Sequence, residues 1–170
     1  YDDFTMEFVK LTRQLKGGDP GLPGFDYSAV ISPTDADRIL NWLAEARKAG
    51  AQILTGGERT GNMISPAVVV NAPPGIRVSC QEVFGPVAVI YPFETMDEAI
   101  DNVNDSVFGL QAGIFTPLVN HALDAARRLQ VGGVMINEVP TFRVDHMPYG
   151  GVKESGMGRE GLKYAIEEMT

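Results

Sequence analysis

Gln81-Glu82-Val83-Phe84-Gly85-Pro86 runs directly into Val87-Ala88-Val89-Ile90-Tyr91. Gly85 and Pro86 forbid a helix and suit a tight loop, and the apolar run after them reads as a strand. A loop that ends on a strand is held firmly, so an acid and an aromatic ring within it can be aimed. A rigid carboxylate accepting from two vicinal hydroxyls, with a ring beside it, suits a ribose attached to a flat heterocycle. The same six residues also fit an exposed loop acid next to an ordinary core phenylalanine.

Working upstream, Tyr1 to Leu15 places Phe4, Phe8 with Val9, Leu11 and Leu15 on one face at helical spacing, and Gly17-Gly18-Asp19-Pro20-Gly21 stops it. Ser32 reads as an N-cap with Pro33 at the first helical position. That helix runs to about Ala49, with Ala36, Ile39, Leu40 and Leu43 as its stripe and Gly50 as its stop. Short strands follow at 52–55 and 67–70, separated by the turn-rich Gly56-Gly57-Glu58. Downstream, Thr95-Met96-Asp97-Glu98 is a capping-box pattern opening a helix to about Asn104. Leu110 to Phe115 is largely apolar, as a strand covered on both faces would be. A helix from Pro117 turns Leu118, Ala122, Leu123, Ala126 and Leu129 inward, Val134-Met135-Ile136 is a further short strand, and a last helix spans about 159–168. The alternation predicts an α/β fold with three layers, helices on both faces of a mainly parallel sheet.

Composition narrows the function classes. With 170 residues, 44% of them hydrophobic and 21% charged, the chain can bury a core as one domain. A formal net charge of −8 argues against nonspecific binding to nucleic acid or to an anionic membrane surface. No apolar run approaches the roughly 20 residues that span a bilayer. The single cysteine, Cys80, excludes an internal disulfide framework and is consistent with a reducing cytoplasm. The chain opens on Tyr1 rather than Met, in mid-helix pattern, which reads as a missing native start.

Three blocks taken together carry a family resemblance: Glu82-Val83-Phe84-Gly85-Pro86-Val87, then Phe108-Gly109-Leu110-Gln111-Ala112-Gly113-Ile114-Phe115-Thr116, then Ile136-Asn137 with Pro148 to Gly161. In order and spacing the chain resembles the aldehyde dehydrogenase superfamily over essentially its whole length, and looks like the C-terminal part of that family's catalytic domain. The resemblance implies an NAD(P)-dependent oxidation of an aldehyde to an acid through a cysteine thioester. It further implies that residues 1–170 are one partial catalytic domain, inactive alone. The nucleophile, the general base, the oxyanion-hole asparagine and the Rossmann cofactor domain would all lie upstream. Glu82 would accept from the hydroxyls of the nicotinamide ribose of NAD or NADP, with Phe84 beside that end of the cofactor. Leu110, Phe142 and Tyr149 would lie along the path of a small aldehyde, though Phe142 also fits simple core packing. Asn137, Gly150, Gly151 and Lys153 would be structural, with Lys153 and Ser155 fixing the turn into the last helix. A homodimer or homotetramer is implied for the full-length enzyme.

Arg143 and His146 are unusual in such a loop. They suggest an anionic aldehyde, carboxylated or phosphorylated, gripped by the guanidinium, or else an ion pair with Asp145 or a subunit contact. Gly156-Met157-Gly158-Arg159-Glu160-Gly161 fits Gly-x-Gly-x-x-Gly, but no βαβ unit with a ribose-binding acid can follow before Thr170. These glycines instead permit close backbone packing and a sharp turn. Cys80 is the only thiol, but its position in the resemblance is non-catalytic, so no catalytic residue is assigned and Cys80 is read as a small, partly buried core residue. A rival from another class is a non-catalytic binding domain that has kept the fold. Phosphotransfer would need a Walker-type Gly-Lys-Ser/Thr or a metal-binding carboxylate cluster, and the sequence has neither.

Overall fold

In the computed structural model, which describes all 170 residues, the chain divides after Pro92 into two units with separate sheets. The first unit begins with α1 (Asp2–Thr12) and α2 (Pro33–Lys48). The strands β1 (Gln52–Thr55), β2 (Arg59–Thr60), β3 (Met63–Ile64) and β4 (Ala67–Val70) follow, then the short α3 (Arg77–Cys80) and β5 (Val87–Ile90). The central strand is β4: it runs antiparallel to β1 and parallel to β5, in register from Ala67 opposite Val87 to Val70 opposite Ile90. All four of its residues are buried, which is what Ala-Val-Val-Val needs when partners flank it on both sides. The connection from β1 to β4 is spent on the β2–β3 hairpin and makes no crossover, so β1 and β4 pair antiparallel. The sheet is therefore mixed as well as small.

Helix α2 supplies the other half of this core. Ser32 Oγ accepts from Asp35 N–H at 3.1 Å, and the Ser32 hydroxyl donates to Asp35 Oδ2 at 2.6 Å. Ala36, Ile39, Trp42, Leu43 and Ala46 are buried and pack with Ile64, Ala67 and Val69. The Trp42 indole, 7% exposed, lies beneath two guanidinium groups, Arg38 at 4.9 Å and Arg77 at 5.4 Å. Helix α1 keeps only part of its expected face. Val9 is buried and Phe8 half-buried as expected, but Thr5 joins Val9 inside while Phe4, Leu11 and Leu15 remain exposed. The helix touches β1 and β4, and the residues facing them are one position away from the large apolar ones.

The second unit contains α4 (Met96–Asn104), β6 (Phe108–Gly109), β7 (Gln111–Ile114), α5 (Val119–Arg128), β8 (Gly133–Ile136), β9 (Val152–Lys153) and α6 (Leu162–Met169). β7 and β8 pair parallel across the α5 crossover, from Gln111 opposite Gly133 to Ile114 opposite Ile136. β6 and β9 form a separate antiparallel pair. Thr95 caps α4, its hydroxyl accepting from Glu98 N–H at 3.2 Å, as the capping-box pattern requires. The run from Leu110 to Phe115 is not covered on both faces: Gly113 is exposed, Leu110 is 38% and Phe115 68% exposed. Its sheet has only two strands, so no flanking pair encloses it as β1 and β5 enclose β4. In α5 the inward residues are Ala122 and Ala125, whereas Leu118, Leu123 and Ala126 are exposed. Alanines let α5 approach β8 and α4 closely, and larger side chains would hold it off.

Candidate functional site

The loop from Gln81 to Pro86 is pinned at both ends. Val78 of α3 is buried, and Val83 packs against the core of the first unit. A Cβ on Gly85 would stand 2.4 Å from Ile39 Cδ1, so any larger residue would push against the buried Ile39 side chain of α2. Pro86 carbonyl accepts from Ala67 N–H at 2.8 Å, joining the loop to the head of the β4–β5 pair. Between these anchors Glu82 and Phe84 both face solvent. Phe84 is 76% exposed and its backbone is left-handed, at φ 49°. It is therefore not a core phenylalanine. An exposed acid and an exposed ring, two residues apart on a pinned loop, fit the two halves of a ribose bearing a flat heterocycle.

Cys80 is exposed at the end of α3, with Sγ 3.7 Å from Gly75 carbonyl. The expectation of a partly buried core cysteine is corrected: Val78 takes the inward position of this single turn, and Cys80 falls on its outer side.

In the second unit, Asn137 ends β8. It adopts φ 55°, donates its N–H to Ile114 carbonyl at 2.7 Å, and accepts from Thr116 N–H through Oδ1 at 2.8 Å. Asn137 thus closes the far end of the β7–β8 pair and starts the loop toward Pro148. Leu110 carbonyl accepts from Gly132 N–H at 2.9 Å and Gly133 N–H at 3.2 Å, leaving its side chain at the surface. Phe142, 44% exposed, sits in a turn closed by its N–H to Val139 carbonyl at 3.1 Å.

Arg143 does not pair with Asp145. Its Nη2 donates to Glu160 Oε2 at 2.9 Å, and its guanidinium carbon lies 4.6 Å from the centre of the Tyr149 ring. Glu160 is brought opposite Tyr149 by a backbone bridge. Glu160 is the residue that sequence reading missed, because only the pairing of distant segments brings it to Arg143. His146 is exposed.

The glycines of this unit mark close approaches. A Cβ on Gly150 would stand 2.5 Å from Gly158 carbonyl, and one on Gly151 2.5 Å from Ser155 Cβ. Lys153 and Ser155 reach further than the turn beside them. Lys153 Nζ donates to the Asn104 and Ser106 carbonyls at 2.7 and 2.9 Å, and Ser155 Oγ accepts from Gly109 N–H at 2.9 Å. An ammonium on the last carbonyl of α4, with a second carbonyl just beyond the helix end, satisfies an orphan acceptor and complements the helix dipole. The expected cofactor residues thus share one loop of the first unit, and the expected substrate and structural residues all lie in the second.

The aldehyde dehydrogenase family model matches residues 1–170. The chain belongs to the aldehyde dehydrogenase family. Two curated relatives are 3-sulfolactaldehyde dehydrogenase of Priestia aryabhattai, 45% identical over 170 residues, and lactaldehyde dehydrogenase of Methanococcus maripaludis, 43% identical over 169. The chain covers 36% of each, and they cover 100% and 99% of it. Among solved structures, aldehyde dehydrogenase 21 of Physcomitrella patens, in complex with the reaction product succinate, aligns at a TM-score of 0.97 with 40% identity, over 99% of this chain and 35% of that one. Glyceraldehyde-3-phosphate dehydrogenase of Methanocaldococcus jannaschii, complexed with NADP, aligns at 0.94 with 37% identity, over 99% and 36%. Betaine aldehyde dehydrogenase of Staphylococcus aureus, in complex with NAD+, aligns at 0.92 with 33% identity, over 98% and 34%. The fold is accordingly the α/β fold of aldehyde dehydrogenases, and the chain spans about a third of the length of the relatives it matches. No helix is long and apolar enough to cross a membrane.

Proposed function

We propose that this chain is the C-terminal part of the catalytic domain of an NAD(P)-dependent aldehyde dehydrogenase, which oxidises a small aldehyde to its carboxylic acid through a thioester on a cysteine outside these residues. The observation that carries the reading is the family match over the whole chain, joined to the exposed Glu82–Phe84 pair on a pinned loop. Glu82 receives the ribose hydroxyls, and the Phe84 ring offers a flat apolar surface to the nicotinamide end. The bound nucleotide supplies the hydride acceptor. This chain's contribution is to orient the nucleotide, to line the aldehyde path with Leu110, Phe142 and Tyr149, and to exclude water from it. Arg143 faces an anionic group on the aldehyde. Asn137, Gly150, Gly151 and Lys153 hold the supporting loops, and the full-length enzyme assembles as a homodimer or homotetramer.

Hydrogen bonds to a charged acceptor contribute about 1.5–3 kcal/mol each, so losing one costs roughly tenfold or more in affinity. In the full-length enzyme, Glu82→Gln is expected to weaken NAD(P) binding or slow turnover by about that factor, read by cofactor titration and by formation of reduced nicotinamide. Unchanged affinity and turnover would remove Glu82 from the site.

A further inference from the structure

Tyr149 and Glu160 face each other directly in an isolated antiparallel bridge. Glu160 N–H donates to Tyr149 carbonyl at 2.6 Å, and Tyr149 N–H to Glu160 carbonyl at 3.2 Å. Two residues that exchange both bonds in this way carry their side chains on the same side. On that side both meet one group, the Arg143 guanidinium: the ring from its face at 4.6 Å, the carboxylate from its edge at 2.9 Å. An exposed ion pair by itself holds a long side chain weakly. Here the backbone bridge brings the carboxylate and the ring to one side of the chain, where Arg143 meets both at once, and two contacts narrow its directions more than one would. The bond to Glu160 uses Nη2, and a guanidinium carries five N–H donors in a planar fork. Donors therefore remain for a second anion.

We propose that the Tyr149–Glu160 pair is a holder that presets Arg143 for an anionic group on the aldehyde (carboxylate, sulfonate or phosphate), with Glu160 as a positioning residue. The proposal rests on the reading that Arg143 faces the substrate. Presetting the fork reduces the rotamer freedom lost on binding, which raises affinity without a new contact. Charge alone makes the opposite forecast: removing the Glu160 carboxylate would raise the positive potential around Arg143 and favour anions. The sign of the effect separates the two.

The test uses the full-length enzyme with succinate semialdehyde, the aldehyde whose oxidation gives succinate, and butanal as its neutral counterpart. The quantity read is the ratio of kcat/KM for the two, which cancels any general loss of activity. Arg143→Leu is expected to lower the ratio by about tenfold or more. Glu160→Gln is expected to lower it by roughly threefold or more, with Glu160→Asp recovering part of the loss. Tyr149→Leu, which removes the other wall, is expected to act in the same direction. An unchanged ratio in Arg143→Leu would overturn the substrate-facing reading and the holder with it. A lowered ratio there, with an unchanged or raised ratio in Glu160→Gln or Tyr149→Leu, would overturn the holder alone.

Discussion

Phe84 holds its backbone at φ 49° and leaves 76% of its surface in solvent. For a bulky residue, left-handed backbone costs about 1–2 kcal/mol, and an exposed ring recovers little of that by burial. Asn71, Asn137 and Lys153 also have positive φ, at 56°, 55° and 54°, but asparagine adopts that region readily, and Lys153 is held there by bonds from its Nζ to the Asn104 and Ser106 carbonyls. The strain at Phe84 has no such local account, and a ligand that stacks on the ring supplies one. Phe84→Gly should therefore stabilise the protein by about 1 kcal/mol while weakening cofactor binding. Urea unfolding together with cofactor titration would show this, and a destabilised variant would contradict the strain argument. The residue types at 82 and 84 were readable from sequence. The sign of φ at Phe84 was not, since nothing local marks it.

At the scale of elements, α2 gives the cleanest test. Hydrogen bonding from Ser32 is the main cause that holds the Asp35 carboxyl below its usual value; burial opposes it, and the Arg38 guanidinium adds to the lowering. A depressed carboxyl contributes stability that is present above its unfolded value and lost as pH falls through the lower folded one. Ser32→Ala removes the cap and the main cause of the shift. It should cost about 1 kcal/mol near neutrality, and the decline in stability on acidification should become shallower. A parallel decline in the two proteins would argue that Asp35 draws nothing from Ser32. The bounds of α2, β1 and β4 were legible because Ser32-Pro33 and Gly50-to-Gly57 punctuate them. The faces of α1 and α5 were legible only in part. Val9 and Ala122 are buried as expected, but Thr5 and Ala125 are buried with them in place of the larger residues, because which side of a helix is covered depends on what the chain lays against it. The β2–β3 hairpin is too short to show a period, and the partners in β6–β9 lie too far apart in sequence to be matched by pattern.

At the scale of the molecule, the family was legible because its three blocks keep their order, each placed by a strand end or a glycine contact. The mixed character of the sheets was not, because strand direction depends on how each connection is spent. The boundary at Pro92 was equally invisible, as no linker or shift in composition announces it. The two units differ in how much they bury. The first has a cluster that includes Ile39, Trp42, Leu43, Ile64 and Val69, whereas the buried apolar residues of the second are Ile100, Ala122, Ala125 and Met135. Trp42 is the only tryptophan. Its emission is thus an optical signal from the first unit, while circular dichroism adds the helices α4, α5 and α6 of the second. In a urea titration of this chain, the ellipticity should begin to fall before the tryptophan emission shifts, and coincident curves would mean the two units unfold as one. A chain with one indole, placed beneath two arginines, comes already labelled for asking which half lets go first.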